Sequence, residues 1–187
     1  MNISPLRRAG VFCVLLAFGM SLVSCTQKTP VYMPFDDIHT APRQSLAGSG
    51  NMVTEEGRMQ IEMQYPAMHN YTGEETATPA QVFPKGIKSV FYNQEGTGID
   101  VLLFADSAIN FQNDKLMKFY RNVRVYDMRT SDTLYTEALY WNQDTHKIYS
   151  DVFVRKVSPG LVLEGEGFDS DERMENVVLR KPRGVIR

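Results

Sequence analysis

Acidic side chains concentrate in residues 164–172, EGEGFDSDE, and their types and spacing could support chemistry. The two glycines of the stretch could begin a phosphate-binding loop, in which backbone N–H groups approach a phosphate closely. Asp169 and Asp171, followed by Glu172 and Glu175, are carboxylates of the kind that Ca²⁺ prefers. A pair of these carboxylates could instead act as the acid and base of a glycosidase. A plain β-strand that ends in a turn is the alternative to all three.

Two of these patterns are incomplete. A dinucleotide-binding loop runs directly into a helix whose N-terminus faces the phosphate, but residues 168–176 have no apolar stripe, and Glu164 and Glu166 would repel an anion. A calcium loop needs a glycine at its sharp turn, and residues 169–174 contain no glycine. Acidic clusters in loops are usually solvated, so the sequence favours neither site.

The three histidines, His39, His69 and His146, offer no better centre. No two of them have the spacing of metal ligands, so zinc is not predicted. Asp144 and Asp151 could meet His146 in space, but a solvated histidine in a turn is the simpler interpretation. We therefore predict no metal, no cofactor and no catalytic residue.

The N-terminus predicts export and lipidation. A pair of arginines precedes an apolar segment, residues 9–20, which is shorter than the roughly 20 residues of a membrane-spanning helix. Residues 22–25, LVSC, fit a lipobox, so we predict a signal peptide over residues 1–24 and an acylated Cys25. An uncleaved N-terminal anchor is the alternative. Because Cys13 would leave with the signal, no disulfide is expected.

A tether is expected between the lipid and the folded part. Residues 25–48 show neither the helical nor the strand period, and three prolines interrupt them. Gly-Ser-Gly at residues 48–50 is typical of a flexible hinge, so the folded domain is predicted over residues 49–187. The net charge of −2 argues against nucleic acid as a partner, because that partner requires clustered Lys and Arg.

The remaining chain has the pattern of short β-strands. Apolar and polar residues alternate from residue 59 to residue 65, which predicts a half-buried strand that ends at Pro66. Residues 70–84 are expected to form a loop, and residues 142–147 the turn of a hairpin. The nearest candidate for a helix is residues 113–120, and it is unconvincing as an amphipathic pattern. We predict an all-β antiparallel domain, which could be a sandwich, a roll or a barrel.

Four segments in a fixed order resemble one known family. FPKGIKSVFYNQEG (83–96), ADSAINF (105–111), LYTEALYWNQDTHKIYSDVFVRKV (134–157) and GEGFDSD (165–171) are similar to the LptC family, and most similar to its lipoprotein-type members from Bacteroidetes. The resemblance implies a single twisted, incompletely closed antiparallel β-jellyroll of the LptA/LptC/OstA type. Within it, residues 161–168 would be a late strand that bends at its glycines, and residues 169–172 a solvated turn.

The resemblance also implies a function. Such a protein is a periplasmic lipid carrier that receives lipopolysaccharide from an inner-membrane ABC transporter and passes it to an LptA-like bridge protein by edge-strand pairing. It is not an enzyme. Many proteobacterial members keep a transmembrane helix where this chain has a lipobox, and a handover from the transporter favours an anchor in the inner membrane.

Apolar residues of the late strands are the predicted lipid groove. An acyl chain in water costs about 25 cal/mol per Å², so a carrier needs a continuous apolar lining. The alternative is a structural or adaptor lipoprotein with an ordinary filled core. The groove candidates are Val123, Val125, Leu134, Leu139, Trp141, Ile148, Val152, Val154, Leu163 and Phe168.

Two three-residue patterns resemble an O-glycosylation motif of Bacteroidetes periplasmic proteins. They are Asp-Ser-Ala around Ser107 and Asp-Thr-Leu around Thr133.

Overall fold

A computed structural model describes residues 44–55, 57–72 and 79–186, which contain fourteen antiparallel β-strands and no helix. The predicted signal peptide, Cys25 and residues 26–43 of the tether lie outside the described residues. The strands are β1 (Gln44–Glu55), β2 (Arg58–Tyr71), β3 (Ala80–Phe83), β4 (Ile87–Tyr92), β5 (Ile99–Ala105), β6 (Ser107–Phe111), β7 (Leu116–Asp127), β8 (Asp132–Asn142), β9 (Lys147–Ser150), β10 (Val154–Ser158), β11 (Leu161–Gly165), β12 (Phe168–Asp171), β13 (Val178–Leu179) and β14 (Arg183–Ile186).

The fourteen strands form a meander of nine long segments, which we call arms. Five of the arms are interrupted near the middle, so each of these consists of two strands. β3 and β4 pair with successive parts of the same β2 strand, through His69↔Val82 and Gln64↔Lys88. They are therefore two halves of one arm. In the same way β5 with β6, β9 with β10, β11 with β12, and β13 with β14 each make one arm, whereas β1, β2, β7 and β8 run through.

The interruptions lie side by side and form a line across the sheet, which we call the crease. The Asp106 N–H donates to the Arg121 carbonyl over 3.1 Å, and the Glu166 N–H donates to the Arg180 carbonyl over 2.9 Å. Two residues of β7, Arg121 and Asn122, stand where its partner β8 has one, a bulge that bends the pair. The crease consists of residues 84–86, 106, 121–122, 151–153, 166–167 and 180–182.

The crease divides the meander into two leaves that face each other. The first leaf contains β3, β6, β9, β12 and β13, and the second contains β4, β5, β10, β11 and β14. Phe91 of the second leaf packs edge-on against Trp141 at the first-leaf end of β8, with ring centroids 5.3 Å apart. A flat sheet would hold these rings three strands apart. The inward residues of both leaves therefore share one core.

The sheet does not close, which confirms the predicted all-β, incompletely closed fold. β1 pairs with β2, and the last arm pairs with β11 and β12; no pairing joins β1 to the last arm within the described residues. Among the described residues, the sheet thus has two unpaired edges, one at β1 and one at the last arm.

Some predicted boundaries were wrong. Residues 44–48, assigned to the tether, are the start of β1, and Gly48 of the expected hinge lies inside that strand. Residues 70–84 contain the end of β2 and all of β3 rather than a single loop. The candidate helix at residues 113–120 is a turn and the start of β7.

β2 also continues through Pro66, where the sequence predicted its end. Pro66 is exposed and lies between Gln64, the last residue paired with β4, and His69, the first paired with β3. A proline has no N–H to donate, so a position where the strand changes partner tolerates it.

Candidate functional site

The space between the two leaves is the candidate site, and it collects most of the predicted groove residues. Eight of the ten are buried in the shared core, at 4% exposure or less. They come from both leaves, including two of the arms that run through the crease, and the fold brings them together in one core. The eight are Val123, Val125, Leu134, Leu139, Trp141, Ile148, Val154 and Phe168.

Val152 is not among them, because the arm that carries it breaks at residues 151–153. Val152 is 39% exposed, and its neighbour Phe153 is 58% exposed. The Thr136 hydroxyl, which is buried, donates to the Phe153 carbonyl over 2.9 Å and holds this bulge in place. Both apolar side chains instead line a cavity of 660 Å³, together with Tyr135 and Arg155.

Leu163 is only partly buried. It pairs with Lys156, which in turn pairs with Leu134, so the three residues form a row across the arms near the last edge. The Lys156 ammonium lies 2.5 Å from the Asp132 carboxylate. Burial would raise the pKa of Asp132, but the hydrogen bond and charge of Lys156 lower it below its ordinary value. The apolar surface therefore ends here at a partly solvated ion pair.

Trp141 connects the apolar interior to the surface. Its indole N–H donates to Glu172 over 3.1 Å, and the other carboxylate oxygen of Glu172 lies 3.1 Å from His146 Nδ1. A buried indole needs an acceptor, and Glu172 supplies it. The tryptophan is thus fixed at the open ends of the leaves. We call these open ends, which lie opposite the crease, the mouth.

Sequence reasoning missed the residues that cover the mouth. Met174 is 7% exposed and packs in the core, although it lies in the loop between β12 and β13. Arg129, in the turn between β7 and β8, pairs with Asp127 and with Glu175 of that loop. No local pattern marked them, since each contact joins residues that are far apart in sequence or lie in a turn.

Acids of the stretch from residue 164 to residue 172 have structural partners. Asp169 lies in β12, not in a turn, and pairs with Arg180 at 3.3 Å. Asp171 accepts hydrogen bonds from its own loop, including the Glu175 N–H at 2.8 Å. Within the described ranges, no group of three or more His, Cys, Asp or Glu side chains could hold a metal ion. The turn predicted over residues 169–172 begins only at Glu172.

The glycosylation patterns differ in accessibility. Ser107 is 5% exposed in β6, so its hydroxyl is covered in the folded protein. Thr133 is partly buried in β8, and the preceding Asp132 is occupied by Lys156. The structure favours Thr133 over Ser107 as an accessible position.

The described residues thus form an open antiparallel β-jellyroll that encloses one apolar core and leaves two sheet edges unpaired, and this fold defines the structural class of the protein. Residues 44–186 match the family model described as lipopolysaccharide-assembly, LptC-related. The chain belongs to this LptC family, whose members take part in lipopolysaccharide transport. No curated protein gives a significant match to the chain. In the part of the chain that the structure describes, no helix has the length and apolar character needed to cross a membrane.

Proposed function

We propose that the chain is a periplasmic carrier that receives lipopolysaccharide from an inner-membrane ABC transporter and passes it to a bridge protein of similar fold. Its interior would hold acyl chains, and its two edges would pair with the two partners. An acyl group on Cys25 would anchor it, with the inner membrane favoured. In this proposal the chain has no catalytic residue, and the transporter supplies the energy.

The apolar interior carries the proposal. It runs from the crease to the mouth, between leaves that are joined along the crease and the through-running arms. Facing side chains such as Phe91 and Trp141 touch across it without backbone hydrogen bonds. Separating them at the mouth would expose a space lined by apolar side chains without breaking the strand pairing within either leaf. Acyl chains could then enter and leave through the mouth.

The edges support the assignment of partners. β1 has twelve residues, pairs with β2 on one side, and its side chains are exposed wherever the structure describes them. A long, free edge is an aggregation risk unless it has a partner. Strand addition would satisfy the backbone groups of β1 and extend the sheet into that partner.

Photo-crosslinking from the interior tests the carrier proposal. A photo-crosslinking residue at Leu139, Trp141 or Ile148 should capture lipopolysaccharide in cells. Lys147 is the matched control for Ile148, because it is the adjacent residue on the same strand and is exposed. Capture from Lys147 alone, with none from the three interior positions, would refute the carrier.

The edge assignment has its own test. Met52 on β1 and Val178 on β13 are 62% and 61% exposed, and each lies on an edge arm. Probes there should crosslink to different proteins of the transport system. Phe153 is equally apolar and 58% exposed but lies at the crease, so a probe there should capture neither. The same partner pattern from all three positions would contradict edge pairing.

The second candidate function is that of a structural or adaptor lipoprotein with a filled core, and the packing of the interior supports it. Leu139, Ile148, Val154 and Phe168 are all 0% exposed, so the interior is already occupied by its own side chains. A structural or adaptor lipoprotein predicts no lipid capture from any interior position and no transport defect when the protein is depleted.

A further inference from the structure

The two leaves are joined at the mouth by side chains as well as at the crease by strands. The turn after β7, residues 128–131, ends the second leaf, and the loop after β12, residues 172–177, ends the first. Arg129 Nη1 lies 3.0 Å from Glu175 Oε1, and Arg129 Nη2 donates to the Arg173 carbonyl. This contact bridges the opening on the side away from the crease.

Arg129 is held in position by its own turn. Its Nε and Nη2 donate to the two oxygens of Asp127, over 3.1 and 3.0 Å, and its backbone N–H donates to the same carboxylate over 2.9 Å. Asp127 is 5% exposed. A bidentate pair with a buried carboxylate fixes a guanidinium far better than a loose surface ion pair does. Arg129 therefore meets the opposite leaf in one defined geometry.

The opposite loop is shaped to place Met174 in the core, with the partly buried Val177 packed beside it. Asp171 accepts hydrogen bonds from the Glu175 N–H at 2.8 Å and from the Asn176 side chain at 2.7 Å, which ties the loop into a compact turn. Met174 takes a left-handed conformation, φ +58°, and its side chain enters the core. Met is flexible and fills irregular apolar space, so its side chain can repack when the loop moves.

We propose that residues 172–177 are a gate over the apolar interior, with Met174 as its plug and Arg129 as the clasp that holds it closed. The proposal rests on the carrier function and adds the place where acyl chains enter or leave. The gate contacts the other leaf through the side chain of Arg129 and the packing of Met174. The clasp is partly solvated, with Arg129 32% and Glu175 56% exposed, so it is reversible.

Hydrogen exchange of the full-length chain in lipid nanodiscs tests the clasp. Glu175→Ala removes the ion pair across the mouth and leaves both the bond from Arg129 to the Arg173 carbonyl and the buried Asp127–Arg129 pair, so the protein should fold. Amides of residues 172–177 should exchange up to about fivefold faster, as expected for a partly exposed ion pair, and those of β4 should be unchanged. Arg155→Ala is the matched control, because it removes another surface ion pair, in which Arg155 Nε lies 3.9 Å from Glu164 Oε1. That pair is not at the mouth. Arg129→Ala should exceed the effect of Glu175→Ala, and unchanged exchange in both variants would overturn the clasp.

Lipid capture tests the gate itself and separates it from the carrier function. With a photo-crosslinking residue at Ile148, Glu175→Ala should increase capture of lipopolysaccharide severalfold. Equal capture with and without the clasp would overturn the gate while the carrier stands. Absence of capture in both backgrounds, with faster exchange of the loop, would overturn the carrier function and with it the lipid gate, leaving only a structural clasp.

Discussion

Replacing Gly167 with alanine should strongly destabilise the fold, because this glycine lies where the crease brings backbones closest. Its φ of +115° lies in a region that other residues rarely adopt. A Cβ at this position would lie 2.5 Å from the Ser150 carbonyl oxygen and 2.9 Å from the guanidinium carbon of Arg180. The arginine could move away, but the carbonyl belongs to the backbone of the neighbouring arm, and so the arm itself would have to shift.

The expected loss has two parts. Holding a residue with a Cβ in this conformation costs roughly 1–3 kcal/mol. Relieving the clash with the Ser150 carbonyl costs about 1–3 kcal/mol more, by analogy with overpacked interiors. Together Gly167→Ala should lose about 4 kcal/mol. At roughly 2–4 °C per kcal/mol for a chain of this size, its unfolding midpoint should fall by about 8–16 °C.

Gly48→Ala is the matched control. Gly48 has φ +65°, but nothing lies within 4 Å of the position that a Cβ would take there, so this variant loses only the conformational part of about 1–2 kcal/mol. Thermal unfolding of both full-length variants, followed by circular dichroism, separates the two parts. Midpoints within about 2 °C of each other would show that close approach at the crease does not require glycine, and would refute the reasoning.

Three further predictions concern side chains at the crease, at the mouth and on the sheet. Thr136→Val removes the hydroxyl that donates to the Phe153 carbonyl; it should cost about 1–3 kcal/mol in denaturant unfolding and increase protease cleavage at residues 151–153. Burial would raise the pKa of Asp127, but its hydrogen bonds from Arg129 lower it, so its stabilisation is complete above pH ~4 and is lost as pH falls through the lowered pKa; Asp127→Asn should flatten this acid dependence of the unfolding midpoint. Burial, with a smaller effect of Tyr140, raises the pKa of Tyr120 from 10.0 to about 12, so its stabilisation is complete below pH ~10 and is lost as pH rises to about 12; a late tyrosinate absorbance step should disappear in Tyr120→Phe.

The core was predictable because burial of apolar side chains is a local property of each arm. Leu134 and Trp141 lie on either side of Glu137, which faces the β7 bulge, and both point inward although they are seven positions apart, an odd number. Apolar character identified them where strict alternation would have rejected one. Val152 shows the reverse: it keeps the alternation of Ile148 and Val154, yet the break at residues 151–153 turns it outward.

The crease and the clasp were not predictable, because both depend on neighbours across the sheet. The crease uses Gly86 and Gly167 in some arms, but Asp106 or the pair Arg121 and Asn122 in others, so it has no common residue type. Their alignment is a property of the register, which a single strand does not specify. The partners of the acidic stretch were not predictable for the same reason, since they come from distant residues such as Arg180.

The two kinds of contact in this fold differ in how they respond to strain. Within each leaf, neighbouring arms are joined by backbone ladders, which open only when several hydrogen bonds are lost together. Across the interior, the leaves meet through side chains: the Phe91–Trp141 pair, the Met174 plug and the Arg129 clasp. For a lipid that enters at the mouth, rotation of the leaves about the crease would make room while the ladders within each leaf stay intact. Crosslinking the leaves at the mouth should then block transport without lowering stability, whereas weakening the crease, as in Gly167→Ala, should lower stability first.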